Sequence, residues 1–88
     1  MTLERIVEQE IDGKVIQITN VFSSSEAYSA HYSFVKEQDG FKVSGTINLK
    51  NDIAIPFELY QPTNSLSEAK EMTTKIIENT AEEFGSIL

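Results

Sequence analysis

The stretch Phe41-Lys42-Val43-Ser44-Gly45-Thr46-Ile47-Asn48-Leu49 alternates without interruption, with apolar residues or glycine at odd positions and polar residues at even ones. Successive side chains of an extended strand point to opposite faces, so this period of two reads as a strand with one dry side and one wet side. The flanking segments repeat the pattern. Upstream, Tyr28, Ala30, Tyr32 and Phe34 oppose Ser29, His31 and Ser33; downstream, Ile53, Ile55, Phe57 and Leu59 share a side. Three consecutive strands thereby present one apolar face.

The links between them are short enough to make neighbours antiparallel. Asp39-Gly40 and Asn51-Asp52 supply residues that tolerate positive φ, as tight hairpins require. A turn at Asp39-Gly40 places Gln38 opposite Phe41, Glu37 opposite Lys42, Phe34 opposite Gly45 and Tyr32 opposite Ile47. Pro56 has no N–H to donate, which puts its strand at a sheet edge or on a bulge. Ideal pairing at both turns makes the same odd-numbered groups of the 41–49 strand bond in two directions. A strand cannot do this, so a bulge is expected, with Gly45 as its site.

At the N-terminus, Leu3, Ile6, Val7 and Ile11 fit either a helical face behind a Thr2 cap or a strand. The strand is preferred because a turn at Asp12-Gly13 pairs Val7 with Ile18, Gln9 with Ile16 and Leu3 with Phe22 on one side, leaving Glu8, Glu10 and Gln17 in water. From Ser65 the period becomes helical. Ser65-Leu66-Ser67-Glu68 is a capping-box pattern, followed by a stripe of Leu66, Ala69, Met72, Thr73, Ile76, Ile77, Thr80, Phe84, Ile87 and Leu88, with Lys70 and Lys75 spaced to pair with Glu71 and Glu78. The expected fold is α+β in a single domain over 1–88. It is an antiparallel β-meander of about five strands, an N-terminal helix being the competing reading of the first, covered on one face by a single C-terminal amphipathic helix.

Composition narrows the function classes. The 88 residues are 40% hydrophobic and 24% charged, as in ordinary globular domains, and contain no cysteine, which removes disulfides and thiol chemistry. The net charge of −7 repels phosphate backbones and anionic lipid at long range, so neither nucleic acid nor membrane is an expected partner. The beginning lacks a basic segment followed by an apolar run, and no Asn-x-Ser/Thr acceptor occurs, so the expected location is cytoplasmic.

Few residues suggest chemistry. His31 is the only histidine; Ser29, Ser33 and Asn48 could orient it, but its parity puts it on the wet face, away from the dry cleft that acid–base catalysis favours. Tyr28 and Tyr32 lie on the inward face, where they either line a ligand pocket between sheet and helix or fill the core with Phe22, Phe34, Phe41, Phe57 and Phe84. The carboxylates are scattered and show no metal-ligand spacing, so no metal and no cofactor is expected. Ser23-Ser24-Ser25 reads as a loop without the sharp glycine-flanked turn of a hydrolase nucleophile.

Ser29, His31, Ser33, Ser44, Thr46 and Asn48 form the outer face, whose small polar side chains suit an adaptable contact. The expected function is a non-enzymatic protein-interaction module, self-associating as a homodimer or part of a larger assembly. The alternative is a small-molecule binding protein or minor enzyme using Tyr28 and Tyr32 between sheet and helix.

Overall fold

The computed structural model describes residues 1–50 and 52–86. Strands β1 (Thr2–Ile11), β2 (Lys14–Ser24), β3 (Tyr28–Lys36), β4 (Phe41–Leu49) and β5 (Ala54–Gln61) form one antiparallel sheet in chain order, and helix α1 (Leu66–Ser86) follows. The chain is thus the expected α+β meander, with a strand rather than a helix at its start. Asp12 and Gly13 adopt φ of 51° and 78°, a mirror-image turn that matches strand twist, and the register it sets pairs Val7 with Ile18, Gln9 with Ile16 and Leu3 with Phe22.

The β3–β4 register differs from expectation by two residues. Gln38 and Asp39 form the turn, the Glu37 N–H donates to the Gly40 carbonyl at 2.8 Å, and Lys36 rather than Gln38 faces Phe41. Gly40 is a glycine for another reason: a Cβ there would collide with the Gln61 carbonyl and come within 2.8 Å of the Tyr60 hydroxyl. The shift also removes the need for a bulge. Even-numbered residues of β4 bond to β3, whereas the Leu49 N–H bonds to the Ile53 carbonyl at 2.9 Å and so commits odd-numbered residues to β5. Pairing runs unbroken through Gly45, and Pro56, at an even pair, turns its missing donor to the open edge. Asp52 closes the β4–β5 turn at φ 66°; Asn51 lies outside the described residues.

The core lies between α1 and the helix side of β3, β4 and β5, where Ala30, Tyr32, Phe34, Phe41, Val43, Ile47, Ala69 and Ile77 are buried. Gly45 lets it close: with no side chain there, Tyr32 and Phe57 from the flanking strands meet with ring centroids 6.1 Å apart. Ser65 caps α1 by accepting the Glu68 N–H at 3.2 Å. The return bond of the expected box is rerouted, since the Ser65 N–H goes to Thr63 and Glu68 accepts the Thr63 hydroxyl. Buried Gln61 donates to buried Thr73 at 3.3 Å, tying the end of β5 to the helix.

The helical stripe is wider than the surface it covers, because Met72, Ile76 and Phe84 remain 36%, 40% and 40% exposed, while Ala81 is buried. Ile87 and Leu88 lie outside the described residues. Lys75 reaches Glu71 at 4.0 Å, but Lys70 pairs across to Glu4 of β1 at 2.6 Å instead of along the helix.

Candidate functional site

Carrying the register outward from β4 decides which side chains share the face opposite α1. Ser33 pairs with Ser44, His31 with Thr46 and Ser29 with Asn48, so the six small or polar residues singled out by parity sit as three adjacent cross-strand pairs. Across β2 and β1 the same rows continue into Asn20 and Arg5, and into Phe22 and Leu3. The Ser33 hydroxyl donates to Asn20 Oδ1 at 2.5 Å and fixes the middle of the face.

This arrangement corrects two expectations. The apolar set of the first hairpin (Leu3, Val7, Ile18 and Phe22) lies on the outer face rather than over the core, because β2 and β3 pair at positions of opposite parity. Phe22 is accordingly 40% exposed and Leu3 55% exposed. Glu37 does not meet Lys42, whose ion pair is with Glu58 of β5 at 3.2 Å.

A groove of about 450 Å³ crosses four strands on this face, walled by the side chains of Leu3, Arg5, Asn20, Phe22, His31 and Ser33, with Ser44 and Gly45 at its far end. Leu3 and Phe22 give it one apolar flank, and the amide and hydroxyls of Asn20, Ser33 and Ser44 give it a polar floor. Sequence reasoning missed Leu3, Arg5, Asn20 and Phe22. Ser23 and Ser24, expected in a loop, belong to β2, and the missing signal was the register across the true connection, Ser25-Glu26-Ala27, which no turn motif pins.

The face is also electrostatically unlike the rest of the chain. Its strand positions carry Arg5, Lys14 and Lys42 against one carboxylate, Glu58, although acids outnumber bases 14 to 7 overall. Glu4, Glu8 and Glu10 point to the helix side of β1, and every Asp and Glu of the chain is exposed.

Tyr32 is 6% exposed, with its ring edge-on to Phe34 at 5.6 Å. Burial pushes its phenol above the ordinary value, the hydrogen bond with Thr74 draws it partly back, and the Glu4 carboxylate adds to the rise. Tyr28 is raised too, by burial first and then by Glu78 and Tyr32. It lines a separate groove of about 210 Å³ with Ser29, Asn48 and Lys50. Among the described residues no three His, Cys, Asp or Glu side chains converge as metal ligands, and no helix is long and apolar enough to cross a membrane.

The fold and this face define a small meander whose helix covers β4, β5 and part of β3 on one side of the sheet and leaves the other side open. Comparison with known proteins finds no matching family model, no matching curated protein and no matching solved structure.

Proposed function

We propose that the chain is a non-enzymatic protein-interaction module that receives its partner on the open face of the sheet. The observation carrying this reading is the set of three cross-strand pairs, Ser29–Asn48, His31–Thr46 and Ser33–Ser44, bordered by half-exposed Leu3 and Phe22. Half-exposed apolar side chains beside small hydroxyls and an amide offer area to bury together with adaptable hydrogen bonding, and short side chains lose little rotamer freedom when covered. We place it in the cytoplasm, in keeping with a sequence that carries no Asn-x-Ser/Thr acceptor.

The small-molecule reading has weaker support. That reading needs a pocket between sheet and helix, where Tyr32 is packed in the core and the groove beside Tyr28, about 210 Å³, is below the roughly 300 Å³ at which ligand pockets begin; the groove of about 450 Å³ that clears this size lies on the open face instead.

The test is affinity capture from native extract with the wild-type chain, the double variant Ser44→Glu/Thr46→Glu, and Glu71→Lys on the exposed helix surface as control. Loss of the captured protein in the double variant alone supports the open face as the docking surface. Equal capture by all three chains refutes it.

A further inference from the structure

We infer that the occupant of the open face is a second copy of this chain, packed sheet to sheet about a twofold axis that runs along β3. The inference rests on the interaction reading above and names the partner.

The edges are the other place where a sheet could extend, and both are guarded. Along β1, antiparallel self-pairing centred on Ile6 sets Glu4 opposite Glu8, and pairing centred on Val7 sets Glu4 opposite Glu10. Like charges directly opposed in a ladder are destabilising. Along β5, Pro56 presents no donor at the middle of the free edge. Self-association is therefore directed to the face.

Charge favours the same surface. Two copies at −7 repel, but nearly all the carboxylates of the strands and helix lie on the helix side, so face-to-face packing keeps them farthest apart. The central row of the open face runs Arg5, Asn20, Ser33, Ser44, Glu58 from edge to edge. A twofold axis along β3 reverses this order in the second copy, laying Arg5 over Glu58 of the second copy and Glu58 over its Arg5. The neighbouring rows then bring Leu3 to Pro56 and Val7 to Tyr60 by the same operation. A row with opposite charges at its two ends is self-complementary under this symmetry and under no translation.

Distances and area suit the arrangement. Stacked sheets lie about 10 Å apart, which an Arg and a Glu reaching from opposite sides can span. Five strands spaced about 4.8 Å and roughly 30 Å long offer on the order of 700 Å² per copy, so about 1,400 Å² in all, within the range of specific interfaces. Arg5 has no carboxylate within ion-pair distance among the described residues, and Glu58, which meets Lys42 through Oε1 at 3.2 Å, is exposed enough to take a second cation.

Sedimentation equilibrium at high micromolar concentration tests this with the wild type, Arg5→Glu, Glu58→Arg and the double exchange, each checked for native far-ultraviolet circular dichroism. The wild type is expected to be a dimer. Each single reversal should weaken it on the order of 10- to 100-fold, because the axis counts every substitution twice, and the double exchange should restore it. A dimer indifferent to both single reversals overturns the axis and the pairing. A monomeric wild type that still loses a captured protein through Ser44→Glu/Thr46→Glu overturns the second copy as occupant and leaves the interaction reading standing. A monomer with no such loss overturns both.

Discussion

The β1–β2 hairpin and the β3–β4–β5 body are written in the same alternating code, yet no residue of β1 is buried, whereas β4 buries Phe41, Val43, Ile47 and Leu49. The hairpin strands are the longer ones, and past the Ile18–Val35 pair they continue alone, which helps stretch the molecule to 47 Å along one axis against 21 and 20 Å along the others. The difference lies in the second layer. A helix about 10 Å across covers roughly two strands, and α1 packs chiefly on β4 and β5. Alternation thus fixes the direction a side chain takes; burial needs something on that side to meet it.

The largest test of that distinction uses one residue type in both regions. Phe34→Ala, at a site 1% exposed between Tyr32 and Phe41, is expected to cost about 3–5 kcal/mol in chemical denaturation. Phe22→Ala, at a site 40% exposed, should cost under about 1 kcal/mol in dilute protein. Comparable losses at the two sites would mean that the hairpin contributes a core of its own.

A pair of glycines gives the next contrast. At Gly45 a Cβ would run into the His31 carbonyl and lie 2.6 Å from Tyr32 Cα, so Gly45→Ala must push two strands apart, at about 3 kcal/mol or more. At Gly13 there is open space, and Gly13→Ala costs only the left-handed backbone at φ 78°, about 1–2 kcal/mol. Thermal unfolding of the two variants measures both. A milder Gly45→Ala would show that β3 and β4 separate easily and that the body is less tightly determined than its burial implies.

Much of this was readable in the chain, for reasons that explain the rest. Asp12-Gly13 pinned its hairpin to the residue because the pair satisfies a mirror-image turn at both central positions. Asp39-Gly40 has the same chemistry and misled, because Gly40 is held by its approach to β5, a contact made long after it in sequence. Parity put all six outer-face residues on one side because only local geometry was needed. Leu3 and Phe22 were missed because their side is inherited through the β2–β3 register, which depends on the Ser25-Glu26-Ala27 connection and its lack of a strong turn preference.

Titration separates the regions again, since all three tyrosines lie in the body and none in the hairpin. Tyr28 and Tyr32 both have phenol pKa values above the ordinary 10.0, chiefly through burial. A raised folded-state value means that the contribution is intact below pH 10.0 and is lost as pH rises through the folded values. Urea midpoints should therefore stay level up to that point as far as these groups are concerned and fall beyond it, with a shallower fall in Tyr28→Phe. An unchanged slope in that variant would place the alkaline sensitivity elsewhere.

The smallest effect belongs to the ion pair that joins the two regions, Lys70 of α1 with Glu4 of β1 at 2.6 Å. Its side chains are 31% and 43% exposed, so solvent screens the attraction, and a double-mutant cycle with Lys70→Ala and Glu4→Ala should return a coupling of about 0.5 kcal/mol, shrinking in high salt. Its structural consequence can exceed its energy, because it holds a helix that covers β4 and β5 against the far edge strand of the sheet. If the pair orients the hairpin, Lys70→Ala will speed amide exchange along β1 while leaving β3 and β4 protected at their wild-type level. If exchange in β1 is unchanged, the ladder to β2 alone sets the hairpin's angle, and the body and the hairpin are coupled only through the backbone they share.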